Sequence, residues 1–188
     1  MPTPTITAPS FAAPDLDQPC SKHLRYRDLV QCGETWTRLA STAAPCANLP
    51  QQPETWQGLQ QLAQAILDPL CEQFGPIELT YGFAGPALTR HIRGRIAPAL
   101  DQHAGSELNR AGRLVCARRG QACDVRVPGV AATAVARFIV QNLPFDRLYL
   151  YGDDRPLHVS IGPDDSRVVY RLELLASGRR VPRRVLGW

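Results

Sequence analysis

The clearest apolar pattern of the chain runs from Pro53 to Phe74, where hydrophobic residues recur every three or four positions. The recurring positions are Leu59, Leu62, Ala63, Ile66, Leu70 and Phe74. This spacing predicts one amphipathic helix over 53–74, because such residues share one face of a helix with 3.6 residues per turn. Pro53 suits the first turn, and Gly75 and Pro76 predict the end. Pro69 predicts a kink, since a proline removes one internal hydrogen bond.

Beyond this helix, shorter segments alternate between apolar and polar residues, which is typical of strands. The predicted strands are Ile77–Tyr81, Ala122–Val127, Arg147–Tyr151, Leu157–Ile161 and Val168–Leu175. A second helix is predicted over Ala131–Leu143, with Val135 and Ile139 facing inward. Turn residues at Gly152–Pro156 predict that the strand after them pairs antiparallel with the strand before them. This order of elements predicts an α+β fold with a mainly antiparallel sheet flanked by helices.

Composition divides the chain into three expected parts. Residues 1–19 contain five prolines among Thr and Ala, and they predict a flexible leader because they cannot bury enough apolar surface to fold. The length of 188 residues and the 44% hydrophobic content suit one compact domain, expected over residues 20–175. Within that domain, residues 87–120 are rich in Arg and Gly and predict a long irregular excursion. Residues 176–188 are expected to form a basic tail.

Basic residues are almost all arginine: the chain has a single lysine, Lys22, and a net charge of +4. The densest arginine groups are Arg90, Arg93, Arg95, Arg110, Arg113, Arg118 and Arg119 in the excursion, and Arg179, Arg180, Arg183 and Arg184 in the tail. Two interpretations stay open. Either a GC-rich coding bias places arginines on a solvated surface, or the planar guanidinium groups bind phosphate or carboxylate. The second interpretation predicts nucleic acid or another anionic partner.

Two further features bear on the cellular compartment. No run of 18 or more apolar residues occurs, and the first 19 residues have neither a basic start nor an apolar stretch. We therefore expect no membrane span, no secretory signal and a cytoplasmic location. Because disulfides persist in oxidising compartments, the six cysteines are expected to be reduced and mostly buried thiols.

A histidine and an aspartate lie on neighbouring predicted strands. Alternation places His158 and Ser160 on the strand face opposite Leu157 and Val159, and Asp124 lies in the predicted strand over 122–127. A carboxylate and an imidazole on one face of adjacent strands can hold a divalent metal if a third ligand joins them. His103, in the irregular excursion, is the candidate third ligand.

Each of these residues also has a structural interpretation that involves no metal. Asp124 is then a carboxylate that caps a turn or pairs with Arg126, and His158 is a sheet histidine satisfied by hydrogen bonds. A different metal site would combine His103 with Cys116 and Cys123, because thiolates bind zinc well.

Several segments resemble a known family. The block Gly120-x-Ala122-x-Asp124 resembles the second half of the Ser-x-His-x-x-Gly-x-Ala-x-Asp motif of zinc D-Ala-D-Ala carboxypeptidases, a group that includes bacteriophage endolysins. The segment around His158 is similar to the later Trp-x-His motif of that family. Residues 143–148, Leu-Pro-Phe-Asp-Arg-Leu, are similar to its Phe-Asp-Gln-Leu stretch. The likeness spans residues 59–160 in the same order.

The resemblance implies the fold of the Hedgehog and DD-peptidase group, with His103, Asp124 and His158 as zinc ligands. It also implies a phage-related metallopeptidase that cleaves a peptide or small amide, such as the peptidoglycan stem peptide, by means of a metal-activated water. The alternative is a non-catalytic descendant of this fold that binds nucleic acid or another anionic partner through its arginine-rich loop and tail.

The chain departs from the family pattern at three places. At the first, Ala84 stands where the family usually has an arginine that is implied in substrate binding. The other two matter for catalysis. The family has six residues between its first histidine and the aspartate, whereas twenty residues lie between His103 and Asp124. The family places its general base three residues before the last histidine, where this chain has Arg155. Because an arginine cannot accept a proton, three acids are the candidates for that role. These acids are Asp153, Asp154 and Glu107.

Overall fold

A mixed sheet of six strands forms the centre of the fold in a computed structural model that describes residues 11–42, 47–92 and 99–187. The strands are β1 (Glu78–Tyr81), β2 (Gln121–Arg126), β3 (Arg147–Leu150), β4 (Leu157–Ile161), β5 (Val168–Leu174) and β6 (Arg180–Val185). Their order across the sheet is β1-β2-β4-β3-β5-β6. Every neighbouring pair is antiparallel except β3 and β5, which are parallel. The predicted α+β class and the mainly antiparallel sheet are therefore confirmed.

Helices precede and flank the sheet. They are α1 (Tyr26–Val30), α2 (Glu34–Ala40), α3 (Pro53–Leu62), α4 (Asp68–Phe74), α5 (Pro86–Thr89) and α6 (Ala132–Asn142), with a π-helical segment (Ala63–Leu67) between α3 and α4. The helix predicted over 53–74 thus begins and ends where expected. Its regular hydrogen bonding changes to the π form just before Pro69, because that proline has no N–H to donate. Among the described residues, no helix combines the length and apolar character needed to cross a bilayer.

The two faces of the sheet differ in chemistry. One face, called here the core face, carries the odd-numbered residues of β2 and β4 and the even-numbered residues of β3. On this face Val125, Leu157, Val159 and Leu148 pack against buried residues of α3 and α6 such as Leu59. The opposite face, called here the site face, carries Asp124 and His158, because successive strand residues point to opposite sides. Helix packing on the core face therefore fixes which side chains reach the site face.

The chain termini differ from expectation in part. Strand β6 lies inside the segment 176–188, which was expected to be a basic tail. A turn, in which Leu175 N donates to Arg179 O, brings the chain back from β5 so that β6 forms the edge of the sheet. Pairing with β5 explains this strand, since β6 itself has only two valines, Val181 and Val185, to signal alternation. Residues 1–10 of the expected leader lie outside the described residues. Residues 11–19 contact α1, where Leu16 O accepts from Arg27 N.

The five described cysteines are free thiols, as predicted. They are Cys20, Cys32, Cys71, Cys116 and Cys123, of which Cys20, Cys116 and Cys123 are buried. Cys46 lies outside the described residues. The excursion over 87–120 is irregular where it is described: it contains the single turn α5 and an isolated bridge between Leu108 and Leu114. Residues 93–98, which include Arg93 and Arg95, lie outside the described part.

Candidate metal centre

Strand register brings Asp124 and His158 together. β2 pairs with β4 so that Asp124 is directly opposite His158, and His158 Nδ1 lies 3.0 Å from Asp124 Oδ1. The prediction that these two side chains share one face of adjacent strands is confirmed. Their neighbours Cys123 and Val159 pair on the core face and are fully buried. Cys123 therefore points away from Asp124 and does not join the site.

A bulge in β1 adds the next part of the site. The register shifts between Leu79, which is opposite Val125, and Tyr81, which is opposite Asp124. One extra residue in β1 reverses which side chains face the site, as bulges do. Tyr81 consequently lies on the site face, and the chain continues into Gly82 beside the cluster.

The third histidine comes from the excursion, and backbone bonds anchor it. The carbonyl oxygen of His103 accepts from Ala84 N at 3.0 Å and from Gln121 Nε2 at 3.1 Å. Its ring nitrogen Nδ1 donates to Gly82 O at 2.8 Å. These bonds attach residue 103 to the end of β1 and to the start of β2, so hydrogen bonds position this side chain although its segment is irregular.

Gly82 has to be a glycine at this position. A Cβ there would lie 2.1 Å from Leu29 O and 2.7 Å from Cys32 Sγ. Leu29 O also accepts from Phe83 N at 2.7 Å, which holds α1 against the end of β1. The close approach of α1 thus depends on a missing side chain and places Gly82 O where His103 can reach it.

The three side chains form one compact group. His103 Nε2 lies 3.4 Å from Asp124 Oδ1, and one ligand atom from each of His103, Asp124 and His158 lies within 4.8 Å of the others. Both imidazoles are buried, with 6% and 2% exposure, and Asp124 is half-buried. This group could hold a metal ion. Within the described ranges, no cysteine belongs to a group of this kind, so the Cys116 and Cys123 alternative finds no support.

The hydrogen bond to Gly82 fixes the tautomer of His103. A carbonyl oxygen only accepts, so Nδ1 carries a proton and the neutral ring presents a bare lone pair at Nε2. That lone pair lies 3.4 Å from a carboxylate oxygen of Asp124. Two electron-rich atoms in a buried site repel one another unless a cation lies between them. The cluster therefore requires either a proton on His103 Nε2 or a metal ion.

Charge within the group changes the acidity of its members. Burial by itself would raise the pKa of Asp124, but the charge of His103 and the hydrogen bonds from both imidazoles outweigh it and lower that pKa. Burial likewise opposes protonation of His103, yet the Asp124 carboxylate and then Asp101 raise the pKa of His103. Asp124 is consequently an anion throughout the physiological range, which is the form that binds a metal.

Two of the three separations between the donor atoms are close to those around a tetrahedral ion. Metal–ligand distances of about 2.05 Å give a regular tetrahedron an edge of about 3.3 Å. The separations of 3.4 Å and 3.0 Å between Asp124 Oδ1 and the two imidazole nitrogens are close to that edge. The hydrogen bond from His103 to Gly82 O is also the outer contact expected of a ligating histidine, because such a bond fixes its orientation.

Asp153 and Asp154, two of the three acids proposed for proton transfer, do not lie at the His103–Asp124–His158 cluster. Asp153 Oδ1 accepts from Thr133 N at 3.0 Å, and Asp153 O accepts from Ala132 N at 3.1 Å. Asp153 therefore caps the start of α6. Asp153 and Asp154 line a cleft with Glu78 and Arg126, and none of the three cluster residues lines that cleft.

Glu107 is buried, with 3% exposure, and one of its carboxylate oxygens accepts three hydrogen bonds at the start of α3. Its Oε1 accepts from Gln51 N at 2.9 Å, Gln52 N at 3.1 Å and Thr55 Oγ1 at 2.9 Å. A carboxylate at this position satisfies donors that a helix start leaves unpaired, and it interacts favourably with the helix dipole. The geometry gives Glu107 a structural part in joining the excursion to α3.

We expect Glu107→Gln to lower the free energy of unfolding by about 1–2 kcal/mol, because the amide loses the negative charge that the helix start favours. Urea titration measures this loss, with the exposed Glu54→Gln as a matched control that changes stability by less than about 0.5 kcal/mol. Metal affinity of the folded variant is expected to stay unchanged. If the variant is as stable as wild type but no longer hydrolyses a substrate of the wild type, Glu107 would instead be the proton-transferring acid.

Aromatic side chains surround the cluster, and sequence reasoning did not select them. The His103 ring makes edge contacts with Tyr81 and His158, at centroid distances of 5.0 Å and 4.9 Å. Tyr149 of β3 makes an edge contact with His158 at 5.2 Å. Burial and then the nearby Asp124 carboxylate raise the pKa of Tyr151. The only available signal was alternation, which places residues 149 and 151 on the site face.

Comparisons with known proteins add no relative: no family model, no curated protein and no solved structure matches this chain. The case for a function therefore depends on the site geometry.

Proposed function

We propose that this protein is a zinc-dependent hydrolase that cleaves a peptide or amide bond, with His103, Asp124 and His158 holding the metal. One observation carries the proposal: His103 Nδ1 donates to Gly82 O, so Nε2 is the atom that faces the Asp124 carboxylate at 3.4 Å and needs either a proton or a metal ion there. A divalent cation in place of that proton would use both groups as ligands.

The donor set is one that zinc uses in enzymes. The site offers two imidazole nitrogens and one carboxylate oxygen. This set matches the three protein ligands of catalytic zinc sites. When bound by three such ligands, zinc keeps an open coordination position and lowers the pKa of a water there to about 7. The motif resemblance to zinc D-Ala-D-Ala carboxypeptidases agrees with this donor set and supports the Hedgehog and DD-peptidase fold as part of the proposal.

The protein supplies orientation and charge to this chemistry. Gly82 O holds the His103 ring in one tautomer, and the β2 and β4 pairing holds Asp124 opposite His158. Asp101 lies next to the site, where its Oδ1 accepts from His103 N at 3.4 Å. Its charge raises the pKa of His103, after the larger effects of burial and Asp124. These contacts set ligand geometry before any substrate binds.

The proposal predicts peptide or amide cleavage that depends on zinc. Protein stripped with a chelator and reloaded with zinc is incubated with a mixture of acylated di- to hexapeptides, and mass spectrometry follows the products. We expect cleavage by the reloaded protein and none by the stripped protein. Asp124→Asn serves as the matched inactive variant, since it preserves the shape of the side chain. Cleavage that persists after metal removal, or zinc-loaded protein that cleaves none of the peptides, would contradict the hydrolase proposal.

A second candidate function is binding of an anionic partner such as nucleic acid. Exposed arginines of β6 favour it, because Arg183 and Arg184 lie side by side on opposite faces of an edge strand. Counterion release would make such binding weaken as salt rises.

A further inference from the structure

One residue from each of the six strands contributes to a single row across the site face. In order across the sheet, the row is Tyr81, Asp124, His158, Tyr149, Tyr170 and Arg184. Each member is the register partner of the next. The row therefore connects the candidate metal centre to the far edge of the sheet without a break.

Rings fill the middle of this row and contact one another in sequence. Tyr149 meets His158 edge-on at 82°, and on its other side it stacks on Tyr170 with centroids 5.0 Å apart and planes 16° apart. Both tyrosines are half-buried, so part of each ring is open to solvent. Partly exposed tyrosine rings offer a large contact area with little loss of side-chain entropy, which suits them to binding a ligand.

A cation ends the row. Arg184 is exposed, and no ion pair or side-chain hydrogen bond engages it within the described ranges. Two other arginines of β6 have partners. Arg183, on the other face, forms an ion pair with Glu173 at 3.3 Å, and Arg180 donates a hydrogen bond to the backbone oxygen of Tyr151 at 2.8 Å. Arg184 is thus the free positive group at the far end of an aromatic surface that begins at the metal ligands.

We propose that this row is the binding surface for an extended peptide, whose reacting amide lies at the metal centre and whose carboxylate pairs with Arg184. The position of the reacting amide rests on the function proposed above. The row contains one arginine, which suits one carboxylate, whereas a polynucleotide would need a series of cations along the row for its phosphates.

Strand spacing sets the length of this peptide. Three steps between strands separate His158 from Arg184, and each step is about 4.8 Å, which gives about 14 Å. An extended chain covers about 3.3–3.6 Å per residue, so about four residues lie between the reacting amide and the carboxylate. Their side chains contact the rings of Tyr149 and Tyr170 on the way.

A series of hydroxamate peptides tests this length. Each compound carries a hydroxamate, which binds zinc, followed by one to six alanines and a free carboxylate, and calorimetry measures its affinity for zinc-loaded protein. We expect the affinity to be greatest at about four residues and about tenfold weaker for the matching carboxamide, because an ion pair with Arg184 is lost. Arg184→Ala should remove this tenfold preference. Arg183→Ala is the matched control on the same strand and should retain it.

Different outcomes separate this inference from the zinc site. Acetohydroxamate binds the metal alone, so its binding to wild type and to Arg184→Ala alike supports the zinc site whatever the longer compounds show. If acetohydroxamate binds but affinity is independent of length, or both arginine variants have equal effects, the peptide surface is overturned and the zinc site stands. If acetohydroxamate fails to bind, the zinc site and this inference are both overturned. Displacement of the four-residue compound by an oligonucleotide, but not by alanine tetrapeptide, would assign the row to nucleic acid and overturn the peptide proposal.

Discussion

Replacing Asp124 with alanine is expected to lower zinc affinity by more than the about 10- to 100-fold that loss of an outer contact costs a metal site. The reason is that Asp124 Oδ1 is the atom shared by both short contacts, at 3.0 Å to His158 and 3.4 Å to His103. Without it, two neutral imidazoles remain and no ligand balances the charge of the ion. Competition with a chromophoric zinc chelator measures the change.

A control separates this effect from general loss of acidic charge. Asp153→Ala removes an exposed carboxylate that caps α6 and lies outside the cluster, and it should leave zinc affinity within about twofold. Thermal unfolding of both variants without metal checks that each is folded. Zinc affinity of Asp124→Ala equal to that of Asp153→Ala would show that the metal binds somewhere else.

Gly82→Ala is expected to lower the free energy of unfolding by about 3 kcal/mol, the upper part of the usual range for overpacking. The new Cβ would lie 2.1 Å from Leu29 O, which is backbone and cannot rotate away. The end of β1 has to move away from α1, and the carbonyl that accepts from His103 moves with it. Zinc affinity should fall as well, by about 10- to 100-fold, because an outer contact of a ligand is lost.

Gly129→Ala provides the comparison for this substitution. Gly129 has a φ of +76°, and nothing lies within 4 Å of an added Cβ, so the variant should lose only about 1–2 kcal/mol from its left-handed backbone. Urea titration of both variants tests the difference. If Gly82→Ala is no less stable than Gly129→Ala and binds zinc normally, the close approach of α1 does not position the site.

Alternation and helix periodicity predict much of this fold. The helix over 53–74 and the strand faces on which Asp124 and His158 lie follow from periods of 3.6 and 2 residues, which depend only on residue type. Strand β6 escapes prediction because Pro182 and three arginines, Arg180, Arg183 and Arg184, leave only two valines to show alternation. Its pairing with β5 is a contact between two segments, and such a contact cannot be predicted from the sequence of either segment alone.

The candidate site also combines residues that local patterns predict with residues whose positions depend on tertiary contacts. His103 lies in an irregular segment, and its position depends on bonds to Gly82, Ala84 and Gln121 that no local pattern encodes. Glu107 was selected for its chemistry, but its hydrogen bonds at the start of α3 are decided by tertiary packing. The row of rings needed strand order as well as alternation, because β3 lies between β4 and β5 in space.

The central claim is that His103, Asp124 and His158 bind zinc, and elemental analysis of purified protein tests it most directly. Wild type expressed with ample zinc is compared with His103→Ala, Asp124→Ala and His158→Ala. We predict close to one zinc per chain in wild type and loss of that zinc in all three variants, since each removes one of three ligands. Less than about a tenth of an equivalent in wild type, or zinc retained by all three variants, would contradict the claim.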